Sequence, residues 1–232
     1  IVGNGLISLT LAKALVNQGI YVDIFLSQKT NKINKSRTLG ISGVNTEYFN
    51  ENILNIKKLL WEIKKIEIYS EKLKNEKILN FENNGKKLFS IIKNYKLYDY
   101  LNLELNKNSF FRIKQNISKI KTKEYNLIIN CDVDSFFSKK YFYKKFNSYA
   151  HTTTIDHKEL LNDCATQIFT KNGPMAFLPI SSTKTSVVYS VRGFKNIDLK
   201  NEIKKYNLKY SILKINEISN FKLQSIDLRS YH

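Results

Sequence analysis

The chain has 232 residues, 42% hydrophobic and 12% aromatic, which supplies a sizeable core and excludes a disordered polymer. No run approaches the ~20 apolar residues of a membrane-spanning helix, and Ile1 to Leu15 lacks the basic region and cleavage site of a secretory signal. The formal charge of +18 points first to nucleic acid, but the basic residues are 34 lysines and only 4 arginines, spread along the chain. Arginine is the base reader and the better phosphate fork, so a solvated lysine surface with no nucleic-acid partner is expected. Contact with an anionic membrane surface is the second reading of this charge.

The chain opens inside a pattern. Ile1 and Val2 read as the end of a buried strand, and Gly3-Asn4-Gly5 turns into a helix with apolar Leu6, Leu9, Leu11, Ala12 and Leu15. Gly19 stops that helix as a C′ residue, and "IYVDIFL" (Ile20 to Leu26) alternates as a strand. Two strands joined by a helix predict a right-handed parallel crossover. "TNKINKS" is a polar loop, and a helix is expected from about Asn45 or Thr46 into "NIKKLLWEI".

Around Lys64 to Phe89 the period switches to two, with Asn83-Asn84-Gly85 as a hairpin turn. A helix follows near Tyr95 to Leu105, with Leu97, Leu101 and Leu105 on one face. "FFRIK", "NISKIK" and "YNLIINCD" read as strands, the last ending in an acid at a sheet's carboxyl edge. "YAHTTTIDHK", "CATQIFTKNGPMAFLPI" and "TSVVYSVRG" predict antiparallel strands with a turn at Asn172-Gly173-Pro174. "KNIDLKNEIKKY" is a helix and "FKLQSIDL" a last strand.

Cys131 and Cys164 sit in no CxxC pattern, which fits a reducing, cytoplasmic compartment. His151, His157 and His232 have no cluster of further ligands around them, so no metal is expected.

A Gly-x-Gly at a strand-to-helix turn lets backbone amides approach a pyrophosphate at the positive end of a helix. Here Ser8 stands where the third glycine is expected. Leu26 stands near the place of the acid that would hold a ribose hydroxyl, with Gln28 as the nearest polar residue. Taken alone, this turn leaves open whether it cradles a nucleotide or only joins a strand to a helix.

Four segments in order resemble the flavoprotein aromatic hydroxylases of ubiquinone biosynthesis, within the p-hydroxybenzoate-hydroxylase-like monooxygenases. They are "VGNGLISLTLAKAL", "SRTLGIS" (Ser36 to Ser42), "LIINCDVDS" (Leu127 to Ser135) and "ATQIFTKNGPMAFLPISSTKTSVVYSV" (Ala165 to Val191). The resemblance covers nearly the whole chain.

It implies an α/β architecture, a Rossmann-like FAD-binding domain interleaved with an antiparallel β-sheet substrate domain. The first would take residues 1–63 and 91–145, the second 64–90 and 146–232. The implied chemistry is FAD reduction by NADH or NADPH, capture of O2, and hydroxylation of a polyprenylated aromatic ring. The cofactor carries that chemistry, and no dedicated catalytic base is named.

By the same resemblance Gly3, Asn4, Gly5, Leu6 and Ile7 would face the FAD pyrophosphate, and Arg37 and Asp132 would contact FAD. Gly173, Pro174, Leu178, Pro179 and Ile180 would line the substrate side. Val133 departs from the family's glycine after the acid, and Asn94 or Tyr95 from its arginine before the helix.

The family's further Gly-Asp segment, which meets the ribityl chain, falls beyond His232. The chain is therefore expected to be an N-terminal fragment, lacking the C-terminal part of the fold and binding FAD weakly or not at all when alone. Peripheral association with the inner membrane and membership of a biosynthetic complex are further expectations, the first from the charge and the second from the non-catalytic alternative below. Two alternatives stand beside the hydroxylase reading: a related flavin oxidoreductase with another lipophilic substrate, and a degenerate, non-catalytic partner of such a complex.

Overall fold

The computed structural model describes residues 1–26, 34–73, 76–115, 121–132, 141–193 and 196–228. Gln28, Val133, "NISKIK" up to residue 120, and His232 lie outside them.

The opening segment folds as its pattern predicts. Helix α1 (Leu6–Asn17) ends at a Gly19 with φ +73°, and strand β1 (Val22–Phe25) follows. Val2 bridges Phe25 on one side and Asn130 on the other, both in parallel. We number the strands in chain order: β2 (Thr38–Ser42), β3 (Trp61–Ile63), β4 (Lys65–Ser70), β5 (Glu76–Glu82), β6 (Phe89–Lys93) and β7 (Phe111–Lys114). β7 pairs in parallel with β1. The parallel array therefore runs β7, β1, Val2, Asn130. In chain order that is third, second, first, fourth, so the order reverses between Val2 and Asn130.

Helix α3 (Asn94–Asn106) places Leu97, Leu101 and Leu105 as their spacing predicts. They share one core with Leu9, Ala12 and Val16 of α1 and Val22 and Ile24 of β1. Val2, Val22, Ile24 and Phe25 are all buried at the centre of the parallel array.

Three expectations need correction. Helix α2 (Gly43–Asn52) starts earlier, because the Ser42 hydroxyl accepts from the Asn45 amide at 3.2 Å. It also ends earlier: the Asn50 side chain captures the Ile56 amide at 2.8 Å, and Trp61–Ile63 is strand rather than helix. The Asn84-Gly85 turn forms with both residues at positive φ, but the chain after it leaves β5. It becomes β6, in a separate small sheet between β2 and β3. "YNLIINCD" is not an extended strand: among the described residues its backbone pairing is confined to Val2, with bonds of 2.8 and 2.9 Å, and Leu127 is exposed.

The large sheet collects β4, β5, β8 (Tyr141–His157), β9 (Cys164–Thr170), β10 (Gly173–Ser181), β11 (Lys184–Arg192), β12 (Ile212–Ile215) and β13 (Ser219–Leu228). Its order is β12-β8-β11-β10-β9-β4-β5, with β13 also on β8. All its pairs are antiparallel except β4 with β9.

Alternation gives this sheet two distinct faces. Helix α4 (Leu199–Tyr206) covers one face and buries Ile168, Met175, Phe177, Val187 and Tyr189 beneath Leu199, Ile203 and Tyr206. The other face turns to the small sheet, where Ile180, Ala165, Ile63 and Ile91 form a joint core.

Candidate nucleotide site

The carboxyl ends of parallel strands open a crevice where their order reverses, and ligands bind there. Here that point lies between Val2 and Asn130, and the glycine turn occupies it. The Gly3 amide donates to the Phe25 carbonyl at 2.9 Å, which holds the turn on the sheet. Its φ of +104° is strained for any residue with a Cβ. An added Cβ would lie 3.2 Å from Asp132 Cβ, 3.3 Å from Ser8 Oγ and 3.4 Å from the Cys131 carbonyl carbon. The first glycine is thus required by both conformation and space.

Gly5 is different. It caps α1 with no side-chain hydrogen bond, and nothing lies within 4 Å of an added Cβ. The first intrahelical bond runs from the Leu9 amide to the Gly5 carbonyl at 3.0 Å, so the amides of Leu6, Ile7 and Ser8 have no intrahelical acceptor. No acid sits in that first turn. The helix end therefore presents bare donors and the positive end of its dipole to the crevice. Asp132 closes the other side, its amide bonded to the Asn130 side chain at 3.1 Å.

Helix α3 feeds β7, which is parallel to β1, so its N-terminus lies at the same carboxyl edge. There the Asn94 amide donates to the Arg37 carbonyl at 3.1 Å. The Asn94 Oδ1 is buried and has no hydrogen-bond partner among the described residues. The Arg37 backbone thus meets the N-terminus of α3 at that edge. The Arg37 guanidinium sits 4.7 Å from the centre of the Phe221 ring of β13, a cation–π contact. Phe221 is 184 positions away in the chain, and no local pattern foretells the pair.

The acid missing at Leu26 is not supplied by Asp23. That carboxylate accepts the Tyr125 hydroxyl at 2.6 Å, and this bond pushes the phenol up to about 12. Leu26 instead donates its amide to the Lys114 carbonyl at 3.0 Å.

The five residues expected on the substrate side are divided by the pleat. Pro174 and Leu178 fall on the face turned away from α4, and Leu178 packs on the joint core that contains Ile180. Gly173 and Pro179 alternate to the α4 side with Met175 and Phe177. Gly173 has φ +140°, and an added Cβ would collide with the Ser190 carbonyl, so this glycine is set by the hairpin.

No protein-family model matches the chain, and no curated protein matches it. Solved structures do. p-Nitrophenol 4-monooxygenase PnpA from Pseudomonas putida DLL-E4 superposes with a TM-score of 0.71 at 8% identity, over 100% of this chain and 69% of that one. HpxO of Klebsiella pneumoniae, complexed with FAD and uric acid, gives 0.67 at 10% identity, over 97% and 67%. A mutant 2-methyl-3-hydroxypyridine-5-carboxylic acid oxygenase gives 0.68 at 12%, over 99% and 71%.

The chain has the flavoprotein monooxygenase fold. At these identities the likeness is one of fold, and it accounts for a parallel array and a large sheet sharing one chain. Among the described residues no helix is long and apolar enough to cross a membrane.

Proposed function

We propose that the chain is an FAD-dependent monooxygenase that hydroxylates a polyprenylated aromatic ring in ubiquinone biosynthesis, with NADH or NADPH as reductant. The observation that carries the reading is the glycine turn. A left-handed Gly3 is pressed against Asp132 where the strand order reverses, beside an uncapped helix end.

These residues fit a dinucleotide. Gly5 leaves open space for a diphosphate, Gly3 and Asn4 form the turn beside it, the Leu6 and Ile7 amides donate to it, and Arg37 and Asp132 flank the same edge. Bound FAD would accept electrons from the nicotinamide and activate O2. The chain's own part is to hold, orient and keep water away. The sheet face opposite α4, which carries Pro174, Leu178 and Ile180, is the side that would take a ring and its prenyl tail. Gly173 and Pro179 shape β10 from the other face. A polyprenylated substrate resides in a bilayer, and the net charge of +18 favours an anionic membrane surface as the place of work.

The test is direct. The purified protein is mixed with FAD, and bound flavin is read by its absorbance and quenched fluorescence. NADH and NADPH oxidation is then followed with a prenylated phenol, and mass spectrometry reads oxygen incorporation from isotopically labelled O2. No flavin binding either by this chain or by a longer chain extended past His232 would sink the reading. Bound flavin without ring oxygenation would favour the non-catalytic partner.

A further inference from the structure

We propose that the groove between α4 and β12 is a membrane-docking site, which takes the phosphate head group of an anionic phospholipid while Leu213 enters the acyl boundary. This deepens the membrane part of the reading above and is independent of the flavin.

The groove is open to solvent and has a volume of about 420 Å³. Helix α4 gives it Lys200 and Lys204, one turn apart on the same side, and strand β12 forms the other wall. Asn207 closes one end, its side chain bonded to the backbone of Tyr210. Among the described residues no acidic side chain lines the groove.

A neighbouring lysine is neutralised and these are not. Lys205 holds Glu71 at 3.0 Å. Lys200 and Lys204 have no ion pair among the described residues, although like charges four apart repel. Lys214 stands opposite Asp156 in register, but that carboxylate already holds Lys184 at 2.6 Å. Three like charges around one open concavity attract an anion.

The strand says which anion. An extended peptide adds to an open sheet edge, but this edge is 4 residues long, bulged and lysine-bearing, which are devices that block strand addition. The bulge between Ile212 and Lys214 leaves Leu213 without a register partner on β8 and 67% exposed. Bulges re-aim side chains, and this one sets a large apolar group beside three ammonium groups. Lysines at phosphate level next to a leucine that enters the acyl boundary make an interfacial contact. A free phosphate would engage the lysines and leave the leucine in water.

The experiment sediments the full chain with vesicles of phosphatidylcholine alone and of phosphatidylcholine mixed with phosphatidylglycerol. Wild type is compared with Leu213→Ser and with the groove variant Lys200→Gln/Lys204→Gln/Lys214→Gln. The charge-matched control is Lys57→Gln/Lys58→Gln/Lys86→Gln, at exposed lysines elsewhere. Circular dichroism checks each fold, and hydrogen exchange reads protection of residues 199–215 on the vesicle. Inorganic phosphate and a glutamate oligomer are titrated by calorimetry. Each lysine at an anionic surface contributes about fivefold, so the groove variant should bind anionic vesicles on the order of a hundredfold more weakly. The control should lose far less, and Leu213→Ser should bind more weakly at unchanged charge.

Equal loss in the groove variant and the control shows net charge acting alone and overturns the groove, as does undiminished binding by Leu213→Ser. Phosphate or glutamate binding that needs the three lysines, without vesicle binding, replaces the lipid by that ligand and overturns the docking role. No vesicle binding by wild type overturns the groove and the membrane reading together. None of these outcomes alters flavin binding, which is read separately.

Discussion

The hydroxyls of Ser36 and Thr152 meet at 2.7 Å in a buried contact between residues 116 positions apart. Ser36 spends its single hydrogen on the Asn34 side chain at 2.6 Å, so Thr152 must be the donor. The Ser186 hydroxyl also donates to the Ser36 carbonyl, at 3.4 Å. This contact ties the segment before β2, and with it Arg37, to the face of the large sheet opposite α4.

Ser36→Ala leaves the Thr152 hydroxyl without its acceptor. The expected cost is about 1–3 kcal/mol. The double variant with Thr152→Val should cost less than the sum of the singles, because both remove one bond. A thermodynamic cycle from denaturant melts checks this; strict additivity would show that the two hydroxyls are not coupled.

Gly173→Ala should destabilise the protein by about 1–3 kcal/mol or more, since φ of +140° and the Ser190 carbonyl both oppose a Cβ. Gly85→Ala is the useful control: its φ is +70° but nothing lies within 4 Å. It should cost about 1 kcal/mol, from conformation alone. Thermal melts that rank the two equally would contradict the close approach.

The two glycines of the turn should separate folding from binding. Gly3→Ala strains the turn and crowds Asp132, so both melting temperature and nucleotide affinity should fall. Gly5→Ala meets only open space and should melt within about 1 kcal/mol of wild type. Its methyl group would nevertheless point where the diphosphate approaches, so FAD and ADP affinity should drop. Wild-type affinity in Gly5→Ala would place the ligand elsewhere.

Acid should loosen the packing of α4 against the β9–β10 hairpin. Glu71 accepts the Lys171 amide at 2.8 Å and the Lys205 ammonium at 3.0 Å, which hold its carboxyl down to about 2. A carboxylate with a depressed folded value stabilises above its unfolded value, near 4.5, and loses that stabilisation as pH falls toward 2. Glu71→Gln should therefore lower stability at neutral pH and flatten the acid limb between those values. Parallel pH profiles for the two proteins would refute the linkage.

The local signals that proved legible are those a few residues can satisfy by themselves. Gly19 ends α1, Asn84-Gly85 turns, and three leucines four apart bury one face of α3. What misled were segments whose partner lay far along the chain. "NIKKLLWEI" has a helical composition, yet β6 was waiting for Trp61–Ile63 as a strand. The apolar "YNLIINCD" has strand composition, yet among the described residues its backbone pairs as a bridge with Val2 alone. The site divides in the same way. Gly3 and Gly5 announce a turn, but Asp132, Arg37 and Asn94 reach it through pairings that no local period encodes.

The sequence by itself determined the periods of its elements, the glycine turn and its unusual Ser8, because these depend on dihedral preference and on which side chains repel water. Only the tertiary structure decided that the strand order reverses beside Gly3, that Pro174 and Leu178 share a face which Gly173 and Pro179 do not, and that Arg37 lies against Phe221. Those facts depend on which distant strands pair and in what register. That choice is made by the joint burial of whole faces rather than by any one segment.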